Sequence, residues 1–479
     1  DDDTVDNDGT DGDSTALDLS VALKAKETRA GKITKESEFI GGPMAKGKLG
    51  DYKLYNSRIR VVVEGLRESD GWGSFGGTIA DADIVRPVGE AGQSLFSEYF
   101  FGFGLRLQNP DKVEVLNDGT NGEAAVLRFT GPDADLPLVA AAFTGILKPT
   151  LLNTTITVDY VLPPDSDLLE IRSSFTWKGS ARVDLDYILQ IFILGDGLKN
   201  FKVGPGFDKD GHNGPTDIYV TAGPKVSYGF FGQEGQIKQM FNYEGVTFYK
   251  SEKRRILPGE TVTFVRYVAV TEGGADPVLR TYNAWKKTAD LAQVRGLVKN
   301  ADGSSAAGAR VHVLNDNAAE GQNYENQAVA NGDGRYALTL PAGSYTLIPF
   351  VDGTGALDGQ KLILAKGQEA ELDLTLPQAA QLSFDVTDGA GAALPCKIFA
   401  DRADGRLAPT EAFGEFLWHA GHQWVVHSES GRGTIPLPAG TYTITASRGY
   451  EYSFDAETLT LTAGQETKFS GALTRVVDT

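Results

Sequence analysis

An eight-residue stretch occurs twice in this chain at a fixed separation. No other feature restricts the fold as much. Leu340-Pro341-Ala342-Gly343-Ser344-Tyr345-Thr346-Leu347 returns as Leu437-Pro438-Ala439-Gly440-Thr441-Tyr442-Thr443-Ile444. Gly367-Gln368-Glu369 returns as Gly464-Gln465-Glu466, and both pairs lie 97 positions apart. A shared offset of that kind marks a repeated domain rather than a chance octamer. Pro-Ala-Gly sets a turn, because proline fixes φ and glycine accepts a positive one. The Tyr-Thr-Leu/Ile that follows alternates as a strand does. Nothing in the unit is reactive, so its expected role is to build a small β-sandwich.

At 479 residues the chain has room for about three domains. Val, Thr, Phe and Tyr are plentiful and no long amphipathic helical run appears, so strands are expected to dominate. A net charge of −19 argues against a nucleic-acid partner, which needs a basic stripe. It suits a well-solvated protein that attracts cations. The single cysteine, Cys396, rules out an intrachain disulfide and sits in an apolar run, where a buried inert thiol is expected. No apolar run is long enough to span a bilayer. No signal peptide is evident, and the acidic start reads as that of a mature or trimmed chain.

Residues 1–16 read as an acidic tether. The spacing of Asp6, Asp8, Asp11 and Asp13, with Gly9 and Gly12 between, also suits Ca2+ ligation by converging carboxylates, although the distal bidentate Glu is missing. Residues 17–290 hold many short alternating segments, such as Arg58-Ile59-Arg60-Val61-Val62-Val63 and Thr155-Ile156-Thr157-Val158-Asp159-Tyr160. Turn signals such as Asn117-Asp118-Gly119 and Pro163-Pro164-Asp165 separate them. This predicts one large antiparallel supersandwich, closed by a short helix over 277–287 with Leu279, Tyr282 and Trp285 on one face. Residues 291–377 and 378–479 form two smaller, related β-sandwiches, the second with an insertion over 400–431. In the first, Asp302-Gly303 is expected to turn a hairpin between Val294–Val298 and Ala309–Val313. The predicted class is all-β.

Several residues are candidates for chemistry. His419 and His422, with His427 nearby and Trp418 and Trp424 flanking, form the densest imidazole group. It suits a metal, a partner surface or a sugar platform, with structural packing the commoner role. Asp81 and Asp83 share a strand face, with Asp70 and Glu98 close in sequence. They read as acid–base groups, a cation site or a solvated edge. Asp208 and Asp210 lie in a Gly-rich loop that could supply oxygen ligands to Ca2+, and His212 follows them. Trp72, Tyr99, Phe100, Phe101 and Phe103 could line a carbohydrate groove, although core strand packing is the commoner role for such residues. Glu98-Tyr99-Phe100-Phe101-Gly102-Phe103-Gly104 also has the character of an intermolecular strand.

The order of strand, Asp-Gly turn, Gly-Ala-x-Val strand, Asp333-Gly334-Arg335-Tyr336 and Leu340–Tyr345 resembles the carboxypeptidase regulatory-like (transthyretin-like) sandwich. In the second repeat the Asp-Gly-x-Tyr turn is not evident. A wider resemblance is carried by Gly50-Asp51-Tyr52-Lys53-Leu54-Tyr55-Asn56, by Gly76–Asp83, by Asn117-Asp118-Gly119 with Gly122–Val126, by Thr445–Tyr452 and by Leu473–Thr479. These resemble the non-catalytic front of secreted carbaryl-hydrolase-like metallohydrolases (the CehA/McbA group of the PHP superfamily). That resemblance implies a first domain similar to galactose mutarotases, with a hydrolase following such an ending. The family's metal-binding His-x-His motif occurs nowhere among the five histidines.

Three functions follow as expectations. The first is a bacterial extracellular or cell-surface scaffold that binds a partner or a polysaccharide, or self-associates into filaments by strand addition, with the N-terminal segment as the natural donor. The second is the non-catalytic part of a metallohydrolase, with a C-terminal hydrolase domain as partner. The third is a carbohydrate-active protein with its site in the first domain. The sequence leans away from an enzyme in this chain.

Overall fold

The computed structural model describes residues 17–136, 150–208, 214–233, 235–243, 245–352, 354, 359–403, 413–414, 422 and 424–477. The chain is all-β. The helix Asp276–Lys286 and the 3-10 turn Glu36–Glu38 are the exceptions among the described residues. No helix among these residues is long and apolar enough to cross a membrane. Two compact units divide the chain, one comprising 1–195 with 251–266 and the other 196–250 with 267–479.

In the first unit, Thr28–Lys32, Tyr52–Asn56, Ile59–Val63, Ile79–Ile84, Phe96–Phe103 and Ile188–Leu194 pair antiparallel in that order. Lys112–Asn117, Ala125–Asp135, Thr155–Leu162 and Leu168–Thr176 form a second antiparallel meander. Edge-on aromatic pairs fill the space between them: Tyr52 with Phe129, Phe129 with Tyr160, and Phe103 with Phe175. Leu168–Thr176 alternates inward and outward, as a sheet with one solvated face requires. Phe96–Phe103 does not alternate. It is buried along its whole length, with neighbours on both sides. This corrects two expectations. Tyr99, Phe100, Phe101 and Phe103 are core residues rather than a surface groove, and the segment is a central strand rather than a free edge awaiting another molecule.

In the second unit the helix Asp276–Lys286 carries Pro277 in its first turn, where a missing N–H costs nothing, and stops at Lys287 in the left-handed conformation. Its Tyr282 and Trp285 pack on Phe231, with ring centroids 5.0 and 4.8 Å away. Two sandwiches follow, each with its own apolar core. In the first, Ala292–Lys299 lies between antiparallel Arg335–Leu340 and parallel Glu369–Glu371. The facing sheet runs Tyr324–Val329, Arg310–Asn315, Gly343–Phe350, Gln360–Leu364. The second sandwich repeats this plan with Ala380–Asp388 between Arg432–Leu437 and Glu466–Leu473, opposite Trp424–Ser428, Cys396–Arg402, Gly440–Ser447 and Asp455–Leu461. Asp302-Gly303 is a local turn, but it does not join a hairpin. The strands on either side of it belong to different sheets, because both inward faces must meet across one core.

The repeated octamer now has a physical account. The Tyr345 and Tyr442 hydroxyls each donate back to the carbonyl of the proline four residues earlier, Pro341 at 3.0 Å and Pro438 at 2.8 Å. Each ring is buried in its sandwich core, so one side chain fixes both the turn and the strand that leaves it. The second repeated piece places Gly367 and Gly464 at positive φ. The carbonyls of Gln368 and Gln465 then accept from Gln293 and Gln381, which opens the parallel pairing.

The missing Asp-Gly-x-Tyr of the second repeat is an exchange. In the first sandwich Tyr336 lies opposite Gly296, and in the second Phe384 lies opposite Gly433. Each pair sets one buried aromatic ring against a glycine on the opposite strand. The insertion is also shorter than 400–431. Cys396–Arg402 and Trp424–Ser428 are regular paired strands, with Ala400 facing Trp424.

Candidate functional site

The first unit buries an unusual number of acids, and what they bind decides what they can do. Asp81 and Asp83 sit on the strand Ile79–Ile84, each almost without exposure. Asp81 accepts from the backbone N–H groups of Lys46 and Gly47, both at 2.8 Å. Burial pushes its carboxyl up to about 6, against the pull of those two amides. Asp83 is held by Arg60, Arg86 and the Gln93 amide. Asp51 accepts from the amides of Lys48 and Gly65 and from Arg67. Arg67 also reaches Glu64, whose other oxygen takes the Thr78 hydroxyl. Glu98 takes the amides of Trp72 at 2.7 Å and Gly73 at 2.8 Å, and burial raises its pKa. Glu38 takes the amides of Leu19 and Thr34.

These carboxylates are loop clamps. All but Glu64 satisfy backbone amides that a strand ladder leaves open, and a buried amide must find a partner somewhere. The clamps of Asp51, Asp81 and Glu98 converge on two touching loops, 46–51 and 64–74. A Cβ added to Gly65 would lie 2.5 Å from the Gly50 carbonyl oxygen, so the loops meet backbone to backbone. Gly71 has no room for a side chain because the Glu98 carboxylate occupies the space, 2.4 Å from an added Cβ. Ser74 is held at φ 59°, a conformation that non-glycine residues rarely adopt. Sequence reading did not find these clamps, since an acid in an alternating strand reads as a solvated face. The glycines beside Trp72 were the available signal.

Of the aromatic candidates, Trp72 stands out from the surface, with 42% of its area exposed, whereas Tyr99 is 1% exposed and its hydroxyl bonds Gln190. Under the Trp72 loop is a cavity of about 30 Å³ lined by Gly73, Phe75, Thr78, Tyr99 and Tyr160. That holds about a water molecule or two and no substrate.

In the second sandwich, His422 bonds Asp401 at 2.8 Å and packs on the Phe399 ring at 4.3 Å, both partners being on the strand Cys396–Arg402. The pair is partly exposed. Trp424 does not join it as a platform. Its register partner is inward-facing Ala400, and its ring packs on the sandwich core, which corrects its assignment as a binding residue. His427 lies opposite Lys397 on the edge strand. Trp418, His419, Asp210, His212, Asp6, Asp8, Asp11 and Asp13 fall outside the described residues. Asp208 ends the strand Gly206–Asp208 and is exposed. No group of three or more His, Cys, Asp or Glu side chains poised to hold a metal occurs among the described residues. Cys396 is buried, and burial raises its thiol pKa.

Fold and site together define a class: an all-β protein of packed sandwiches whose buried acids brace loops. Residues 293–377 match the carboxypeptidase regulatory-like domain. No curated protein matches the chain in sequence. Among solved structures, the chain is similar to the Bacillus anthracis TIE protein, with 14% identity and a TM-score of 0.18, over 65% of this chain and 55% of that one. It is also similar to GBS52, the minor pilin of Streptococcus agalactiae, with 12% identity and a TM-score of 0.26, over 39% of this chain and 97% of that one. The shaft pilin spaA of Lactobacillus rhamnosus GG gives 11% identity and a TM-score of 0.24, over 40% of this chain and 99% of that one. Similarity at this level carries no argument about function.

Proposed function

We propose that this chain is an extracellular or cell-surface scaffold that works by binding. The observation that carries the reading is the state of the buried acids. Asp51, Asp81 and Glu98 are engaged by backbone amides that fix loops, so these three acids serve as braces rather than as a poised acid–base pair. Self-association by strand addition is part of the proposal, and the edges indicate where. Edge strands Glu369–Glu371, Asp455–Leu461 and Glu466–Leu473 carry acids or lysine, and Arg432–Leu437 carries Pro436; such residues deter pairing. Edge strand Trp424–Ser428 carries none of them. Ca2+ at Asp6, Asp8, Asp11, Asp13, Asp208 and Asp210 belongs to the same proposal. Negative-stain microscopy and sedimentation of purified protein test the assembly. Filaments that Val425→Lys abolishes are expected, and a monomer at all concentrations would remove self-association from the proposal.

A second reading is favoured by one surface. Tyr450, Phe454, Val476 and Val477 are exposed, and their two segments are tied together where the Val476 and Val477 amides donate to the Glu451 carbonyl. An apolar patch of this kind suits a docked neighbour. In this reading the β domains position a hydrolase domain of the carbaryl-hydrolase-like kind. The test is whether that domain, added in trans, binds the wild type but not Tyr450→Ser with Phe454→Ser.

A further inference from the structure

Three exposed apolar side chains stand on the clamped loops of the first unit: Leu49 at 56%, Leu66 at 47% and Trp72 at 42% exposure. Each sits on or beside an amide held by a buried acid. Lys48 N–H bonds Asp51, Gly65 N–H bonds Asp51, and Trp72 N–H bonds Glu98. The loops are joined across their rim by the Lys48–Asp70 ion pair, whose side chains are 51% and 62% exposed. Arg67 ties the same loops from beneath through Asp51. A fold that holds apolar groups in water on rigid loops has lowered the ordering cost of whatever they bind.

Size and charge select the occupant. A stable protein interface takes about 800 Å² from each partner, far more than three side chains supply. The chain's net charge of −19 repels acidic polymers and anionic membranes. What remains is a small, uncharged unit with one apolar face and a hydroxylated rim, repeated so that weak contacts add up. We propose that Leu49, Leu66 and Trp72 form a subsite for a neutral polysaccharide, the indole lying against the C–H face of a sugar ring while Asp70 accepts from, and Lys48 donates to, its hydroxyls. The proposal rests on the scaffold reading and names one partner for it.

The test is affinity electrophoresis of the full chain through gels containing α-glucan, β-glucan, mannan, galactan or xylan, with alginate as the acidic control. At least one neutral polymer is expected to retard the wild type, with alginate inert. Trp72→Ala should weaken retardation about tenfold or more, as loss of a central aromatic anchor does, and Trp72→Phe should keep part of it. Because Trp72 is exposed, both variants should melt with the wild type, which separates lost binding from lost folding. No retardation by any neutral polymer, retardation unchanged in Trp72→Ala, or retardation only by alginate would overturn the subsite and leave the scaffold reading standing. A Trp72→Ala change in sedimentation without a change in retardation would also overturn it, by assigning the patch to protein contact. Release of reducing ends from the gel polymer would instead sink the scaffold reading.

Discussion

Asp276 offers the sharpest test of how buried acids act in this fold. It opens the helix Asp276–Lys286 and has no exposure. One oxygen accepts from the Asn326 side chain at 2.8 Å and from the Thr339 amide at 2.7 Å, both in the first sandwich. The other faces Arg280 at 3.4 Å. Burial outweighs the pull of Arg280 and of the two bonds, and lifts the carboxyl from 3.8 to about 6. The folded state therefore holds the proton more tightly than the unfolded chain does. Stability from this group is fully present below pH 3.8 and is lost as pH rises through 6. With those two values, linkage gives about 1 kcal/mol of added stability on going from pH 7.5 to 5.0. Asp276→Asn keeps an oxygen for both donors but cannot titrate. In urea unfolding at the two pH values, the wild-type change minus the variant change should be about 1 kcal/mol. Asp276→Ala should also lose about 2 kcal/mol or more at both pH values, because two buried donors lose their acceptor. If Asp276→Asn shows the wild-type pH response unaltered, the carboxylate is not held as described.

Asp81→Asn should remove a similar pH response from the first unit, since burial lifts that carboxyl to the same region. Glu98→Gln should speed hydrogen exchange at Trp72 and Gly73 at a cost of about 1–3 kcal/mol, while the strand Phe96–Phe103 stays protected. Tyr345→Phe and Tyr442→Phe should each cost about 1–2 kcal/mol in melting experiments, and their sum should hold in the double variant because they lie in separate cores. Gly296→Ala should cost about 3 kcal/mol or more, since its Cβ would fall 1.8 Å from the Leu372 carbonyl oxygen.

The strands and the tandem sandwiches are legible in the sequence because alternation and turn residues report directly on local backbone. The helix is legible for the same reason, to within a residue at each end. The connection at Asp302-Gly303 is not. A turn motif states that the chain reverses, but whether it returns to the same sheet or crosses to the facing one depends on which strands share a core. The inward position of Asp51, Asp81 and Glu98 is equally hidden. Asp81 lies in a pattern that suits a solvated face, and the loop amides that Asp51, Asp81 and Glu98 hold explain why all three point inward. Trp72 reads the same as Tyr99 in one dimension; the glycines around it and the strand pairing around Tyr99 separate them in three.

The exchange between Tyr336/Gly296 and Phe384/Gly433 shows what the packing of such a sandwich requires. Two aromatic rings facing each other across the pair would overfill the core, and two glycines would leave a cavity about the size of a ring; either costs several kcal/mol. The volume is therefore fixed while its strand of origin is free, and the motif can vanish from the sequence with the packing intact. The same reasoning covers the clamps. An acid with both oxygens taken by amides holds a loop from any strand that reaches it, so the geometry of the loop is the constrained quantity. The loop bearing Trp72 is one whose shape is held in this way.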